Sequence, residues 1–201
     1  MINKIRMAFW LLTSLRFKMT FRKFGNMSFI KAPIFLSNTK NISIGRNVKI
    51  WHHARLEAVT RYNSKEFSPE IIIEDNVGIQ QNFHCTCASR VRIGKGTAIT
   101  QNVGIFDIHH GYTEPDVSVI LQDIDAKPVD IGENCFIGMN CAILPGTVLG
   151  PQTVVAAGSV VSGVFPGRCV IAGSPARIIK RYNPSSGIWE KERPGGEYGH
   201  P

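Results

Sequence analysis

The first fifty residues contain no aspartate and no glutamate. Ten basic residues stand there: Lys4, Arg6, Arg16, Lys18, Arg22, Lys23, Lys31, Lys40, Arg46 and Lys49. The rest of the chain is nearly balanced, so the net charge of +8 belongs entirely to the first quarter. That asymmetry excludes a uniformly basic nucleic-acid binder and points to a local basic arm. Long apolar runs are also missing. The stretch near the start, Met7 to Leu15, falls far short of the ~20 residues that span a bilayer. Arg16 and Lys18 interrupt it and no small-residue cleavage pattern follows, so a secretory signal is not expected either. The sequence is read as cytoplasmic, with the basic arm able to reach the inner face of the membrane. No C-x2-C spacing occurs among the five cysteines at 85, 87, 135, 141 and 169, so no zinc knuckle is expected. An odd number of thiols suits small buried residues in a reducing compartment. A hydrophobic fraction of 43% excludes wholesale disorder.

What the sequence does contain is a period of six. Aliphatic residues recur at Ile131, Ile137, Ile143, Leu149, Val155 and Val161 without an insertion. Four positions after them stand Cys135, Cys141, Thr147, Thr153, Ser159 and then Phe165. The same frame appears at Ile44, Ile50 and Leu56, at Ile73, Ile79 and Cys85, and at Ile93, Ile99 and Ile105. Six suits neither an isolated amphipathic helix, with period 3.6, nor a free strand, with period 2. It suits a triangular coil in which each hexad is a short strand plus a corner and three hexads close a turn. Fifteen hexads make about five coils, stabilised by their neighbours as in any solenoid. Asn47, Asn76, Asn102, Asn134 and Asn140 fall where corners need positive φ.

Three segments break the frame. Residues 57–70 are polar and read as a loop, with Arg61, Tyr62, Lys65 and Glu66 near its centre. Residues 106–128 form a long insertion carrying His109, His110, Tyr112, Asp123 and Asp125, and an insertion of this length is more often functional than decorative. Beyond residue 167 the solenoid ends. Arg177 to Arg181 are expected to form a short helix, followed by a Pro/Gly-rich tail. Residues 3–24 read as one or two helices with Ile5, Phe9, Leu12, Phe17, Phe21 and Phe24 on an apolar face. That arm either packs on the solenoid or a neighbouring subunit, or lies at an anionic membrane surface. The expected organisation is a basic helical extension over 1–41, a β-solenoid over 42–182 and a tail over 183–201.

The densest repeats run from Pro128-Val-Asp-Ile-Gly-Glu-Asn-Cys-Phe-Ile-Gly through Val155-Ala-Ala-Gly-Ser to Ile171-Ala-Gly-Ser-Pro-Ala-Arg. By these motifs residues 42–182, about 70% of the chain, resemble the hexapeptide-repeat acyltransferases. Within them the sequence is similar to the galactoside, maltose and colanic-acid acetyltransferase branch. The resemblance implies an all-β, left-handed parallel β-helix, acetyl-CoA as donor with no metal, and a homotrimer with active sites between subunits. The acceptor it implies is a sugar or glycan hydroxyl, and the long N-terminal arm looks more like enzymes of surface polysaccharides, whose acceptors can be lipid-linked.

Acyl transfer to a hydroxyl needs a base, because an alcohol is a poor nucleophile at neutral pH. It also needs a donor for the oxyanion and a cradle for the CoA arm. The family's catalytic histidine aligns with His110. Counting from Ile105, His109 falls at an inward position and His110 at the next corner, pointing outward. Asp107 is a candidate to orient the imidazole, with a backbone carbonyl as the alternative. Met139, Ala157, Ser162, Gly163, Arg177 and Lys180 fall on family positions that contact CoA, the charged ones suiting its phosphates. Two positions depart from the pattern: Gly163 stands where relatives often carry Lys, and Phe136 where Trp is common. Asn82, His109, Tyr112 and residues 61–66 are candidate acceptor contacts, and His84 could face the same cleft.

Direct attack by the sugar is favoured, since no serine nucleophile motif appears. Cys85 and Cys87 are rival nucleophiles, and the inward position of Cys85 argues against it. N-acetylation of an amino sugar and a non-catalytic scaffold are the alternatives. A carbonic-anhydrase-like metal site would need a third histidine at coil spacing, which is absent.

Overall fold

The computed structural model describes residues 2–192. The chain winds as a left-handed parallel β-helix with three faces. Face A stacks Lys23–Phe24, Ile42–Ile44, Glu70–Ile73, Arg90–Ile93, Val129–Ile131, Val148–Leu149 and Val164–Phe165. Face B stacks Phe29–Ile30, Lys49–Ile50, Gly78–Ile79, Ala98–Ile99, Phe136–Ile137, Val154–Val155 and Cys169–Gly173. Face C stacks Phe35–Ser37, Arg55–Ala58, His84–Cys87, Gly104–Phe106, Ala142–Ile143 and Val160–Val161. The chain visits A, B and C in turn and ends on a last A and B strand.

The period-six residues are the core. Ile99 aligns with Ile137 and Ile137 with Val155 down face B, and Ile105 with Ile143 down face C. These side chains are buried, as are Val48, Ala54, Val77, Phe83, Thr97, Val103, Cys135 and Cys141 at the alternate inward positions. The five corner asparagines all adopt positive φ, and corner amides stack from coil to coil, as in Asn47 to Asn76 at 2.8 Å. Flat corners also require glycine: a Cβ on Gly94 would lie 2.5 Å from the Gly132 carbonyl carbon, so the successive turns approach backbone to backbone.

The solenoid starts earlier than the hexad count suggested. Phe24, Ile30 and Leu36 keep the spacing of six and align with Ile44, Ile50 and Leu56. The first coil therefore lies within the supposed extension, its start disguised by a phenylalanine at an aliphatic position. The later end is shifted for a different reason. The corner at Ser162–Gly163 is two residues short, so Phe165 aligns with Leu149 and opens a new rung.

The two ends are closed differently. At the N-terminus helices span Ile2–Ser14 and Phe17–Thr20. Phe17, Phe21 and Phe24 form a buried trio with ring centroids 5.4 to 5.5 Å apart that covers the first coil. Phe9 and Leu12, expected on the same face, are exposed. At the C-terminus the expected helix over 177–181 is a strand, Ala176–Asn183, running antiparallel to Cys169–Gly173. Its inward residues alternate, Ala176 and Ile178 buried and Arg177 and Ile179 exposed, and this period of two lets the strand close the open end of the prism. The start of the tail pairs as well, Ile188–Lys191 lying against Lys180–Asn183. Residues 193–201 of the tail lie outside the described residues. Among the described residues no helix is long and apolar enough to cross a membrane.

Candidate active site

The 106–128 insertion leaves the prism at the corner between faces C and A, and a buried carboxylate holds its root. Asp107 accepts hydrogen bonds from the backbone N–H of Ala88 and of Ser89, both at 2.7 Å, and from the Cys87 thiol at 3.3 Å. Its own carbonyl accepts from Lys127 N–H at 2.7 Å, so the two ends of the insertion are tied together. Between them Ile108–His110 pairs antiparallel with Ile124–Ala126 to make a short arm. The buried amide of Gln122 organises the tip, donating to the carbonyls of Glu114 at 3.0 Å and Val117 at 2.8 Å while accepting from Glu114 N–H at 3.2 Å.

The polar loop over 57–70 is a second arm. Arg61–Tyr62 and Lys65–Glu66 form a hairpin that lies against the first. Asn63 Nδ2 donates to the Gln122 carbonyl at 3.2 Å, and Lys65 Nζ to the Ile124 carbonyl at 3.4 Å. The Tyr62 hydroxyl donates to the Ile120 carbonyl at 3.2 Å and lies 3.4 Å from His110 Nδ1, the two rings meeting edge to face at 5.5 Å.

This geometry corrects the frame argument for the histidines. Neither lies on the prism; both are exposed on the arm, and as neighbours in a strand they point to opposite faces of it. The hexad frame fails there because the antiparallel arm replaces the corner. Asp107 is also corrected: fully buried, its carboxylate is taken up by two amides and a thiol rather than by His110. The group that meets the imidazole is Tyr62, 48 residues away in sequence; its loop is a candidate acceptor contact on sequence grounds, but its contact with His110 was not foreseen. Gln122 was missed; an isolated glutamine in a loop carries no signal of burial.

The candidate acceptor residues are only partly gathered. Tyr112 is 78% exposed two residues beyond His110. Asn82 stands at the other edge of face C, at the corner between B and C. There its Oδ1 lies 3.2 Å from His53 Nδ1, and its Nδ2 donates to Asn102 at 2.9 Å. It borders an open groove of about 640 Å³ lined by Trp51, His52, His53, Gln80 and Gln81. His84 faces outward on face C, 3.0 Å from the Thr86 hydroxyl and edge to face with Phe106. Burial first, then the nearby Arg55 guanidinium, lowers its pKa against the opposing pull of Glu57.

The candidate donor residues divide in the same way. Met139 and Ala157 are exposed on the corner between B and C, where Gly158 N–H donates to the Met139 carbonyl at 2.8 Å. Ser162 and Gly163 lie on the corner between C and A, two coils below the insertion root. Gly163 has φ of +106° and open space where a Cβ would be. Arg177 and Lys180 lie on the closing strand, where the guanidinium of the exposed Arg177 donates to the Ala176 carbonyl at 2.8 Å. All five cysteines are buried and free. Burial, reinforced by Asp107, pushes the Cys85 and Cys87 thiols far above their ordinary range, so neither supplies a thiolate nucleophile. Among the described residues no group of three or more His, Cys, Asp or Glu is arranged to hold a metal.

Comparison with known proteins agrees with this architecture. Residues 128–163 match the family described as bacterial transferase hexapeptide, six repeats. The putative lipopolysaccharide biosynthesis O-acetyl transferase WbbJ of Escherichia coli (strain K12) is 34% identical in an alignment of 173 positions that covers 83% of this chain and 85% of that one. The galactoside O-acetyltransferase of the same organism is 28% identical, over 83% of this chain and 66% of its own length. Among solved structures, AntD, an N-acyltransferase from Bacillus cereus in complex with dTDP and 3-hydroxybutyryl-CoA, superposes with a TM-score of 0.70. It is 18% identical, over 87% of this chain and 90% of its own. Galactoside acetyltransferase in complex with coenzyme A superposes at 0.54 and 24% identity, over 85% and 70%. The chain belongs to the hexapeptide-repeat acetyltransferases, as its repeats imply.

The root of the insertion generates one prediction. Asp107→Ala leaves two inward amides without acceptors, each worth about 1–3 kcal/mol, and is expected to lower unfolding stability by about 2–4 kcal/mol. Denaturant titration measures this. A loss below half a kcal/mol would show that Asp107 does not carry the root.

Proposed function

We propose that the protein transfers an acetyl group from acetyl-CoA to a hydroxyl of a sugar or glycan in surface polysaccharide or lipopolysaccharide biosynthesis, with His110 as general base. One observation carries this reading. His110 is exposed on a doubly braced arm, and its Nε2 has no hydrogen-bond partner among the described residues. The names of the lipopolysaccharide and galactoside relatives support the acceptor class. In the reaction the hydroxyl oxygen attacks the thioester carbonyl while Nε2 takes its proton. The tetrahedral intermediate then expels the CoA thiolate, which recovers the proton from the imidazolium. With both cysteine thiols buried and protonated, the sugar attacks directly and no acyl-enzyme forms.

The donor reading fits an assembly. Met139 and Ala157 occupy one edge of the prism and Ser162, Gly163 and the His110 arm another, so a neighbouring prism is needed to bring both edges to one groove. This supports a homotrimer with donor and base contributed across each interface. The exposed corners at Met139 and Ala157 suit an extended pantetheine, and the positive charges of Arg177 and Lys180 on the closing strand suit the CoA phosphates. Asn82, with the amide and aromatic groove beside it, is read as an acceptor contact, and His109 and Tyr112 flank the base. At the N-terminus Phe9, Leu12, Leu15 and Met19 are exposed beside a segment with no acidic residue. This supports peripheral contact with anionic lipid at the cytoplasmic face and an acceptor that is itself lipid-linked.

Kinetics, solution mass and vesicle binding test the proposal. His110→Ala is expected to lower kcat by roughly 10²–10⁴-fold with KM for acetyl-CoA unchanged and the fold intact, while His109→Ala has a smaller effect. Equal turnover by wild type and His110→Ala would refute the base, and preference for an amino sugar over its hydroxy analogue would move the reaction to N-acetylation. Joint replacement of Arg177 and Lys180 by Ala is expected to raise KM for acetyl-CoA roughly three- to thirtyfold, with less effect on kcat; an unchanged KM would place these charges away from the donor. Light scattering is expected to give three times 22.2 kDa, and co-sedimentation to occur with vesicles rich in phosphatidylglycerol but not with phosphatidylcholine alone. A monomer with full activity, or indifference to lipid charge, would remove the corresponding part.

A further inference from the structure

A neutral imidazole can serve as a base only through the nitrogen that lacks a proton, so the tautomer of His110 decides whether it can act. The Tyr62 hydroxyl stands between two groups, the Ile120 carbonyl at 3.2 Å and His110 Nδ1 at 3.4 Å. A phenol has one proton. The carbonyl has none to give, so at that distance the phenol proton lies on the Ile120 side. What remains toward His110 is an oxygen lone pair, which accepts from Nδ1 only if Nδ1 carries a hydrogen. The lone pair of the ring is then on Nε2, the nitrogen with no partner among the described residues.

We infer that Tyr62 is a positioning residue that holds His110 in the Nδ1–H tautomer, so that the base is presented through Nε2. The inference rests on the reading of His110 as the base. It also gives the hairpin over 61–66 a purpose. Asn63 Nδ2, donating to the carbonyls of Ile120 and Gln122, and Lys65 Nζ, donating to that of Ile124, fix the hairpin to the insertion independently of the phenol. The edge-to-face contact at 5.5 Å limits rotation of the imidazole about its χ2. During transfer Nδ1 keeps its proton as Nε2 gains one, and the phenol lone pair then faces a cationic donor, a stronger hydrogen bond than before. Tyr62 therefore stabilises the charged ring more than the neutral one, which is the direction catalysis requires.

The test uses the full chain with 15N-labelled histidine in alkaline buffer, where the imidazoles are neutral, and His110 is assigned by the loss of its signals in His110→Gln. The wild type is expected to show Nδ1 protonated and Nε2 bare. Tyr62→Phe, which keeps the ring contact, is expected to shift the ratio toward Nε2–H and to lower kcat roughly ten- to 150-fold, the worth of one hydrogen bond to a charged group, with KM for acetyl-CoA unchanged. Asn63→Ala loosens the hairpin without removing the phenol, and is expected to keep the tautomer and to cost less turnover. A wild-type ring protonated on Nε2 would overturn the inference. So would a ratio unmoved in Tyr62→Phe, or equal losses of turnover in both variants with the tautomer unchanged. If His110→Ala retains full turnover the base assignment falls, while the tautomer ratio, read without turnover, still decides the part played by Tyr62.

Discussion

Every coil rests on the side chain directly above it. Ile137 sits between Ile99 and Val155, and the backbone hydrogen bonds along each face form only while that alignment holds. A parallel ladder has no short hairpins to set its register, so burial must do so. Displacing a strand by one residue would turn its aliphatic side chain to water and bring an exposed residue inside. The corner asparagines and glycines follow from the same constraint, because a triangular coil with two-residue strands has no room for a wider turn.

This constraint also explains why the proposed base lies off the prism. Interior positions are consumed by stacking, and the short outward strands present few side chains per coil. A reactive group that must approach two substrates needs an arm. The arm is affordable only if it leaves the repeat without disturbing it, and the buried Asp107 carboxylate meets that need by satisfying two amides of the coil above and one thiol. The second arm, over 61–66, braces the first through side chains that bond to backbone carbonyls. Such contacts depend on the path of the insertion rather than on its residue types.

The proposed donor residues lie on two edges of one prism, and Asn82 stands across face C from the His110 arm; the proposed trimer would draw these edges together. Part of the positive charge concentrated in the first quarter is taken up by ion pairs beside face A, Arg22 with Glu70 at 2.7 Å and Arg46 with Asp75 at 3.1 Å, and the rest accompanies the exposed apolar residues Phe9, Leu12, Leu15 and Met19.

The sequence by itself determined the β-helix, its corners and most of its core. A period of six repeated over many coils can be satisfied by few other backbones, and each inward residue needs only its own spacing to be recognised. The same spacing held the first coil at Phe24, Ile30 and Leu36, but a phenylalanine at an aliphatic position hid where it began. The insertion and its histidines were also visible, as a break in the period. Only the tertiary structure decided that Arg177 to Arg181 form a strand, where an alternating pattern serves to close an open prism end. It alone turned Asp107 into an anchor and brought Tyr62 to His110. Contacts between two arms joined by neither period nor proximity are set by where the coils place their roots, and that placement exists only once the prism has formed.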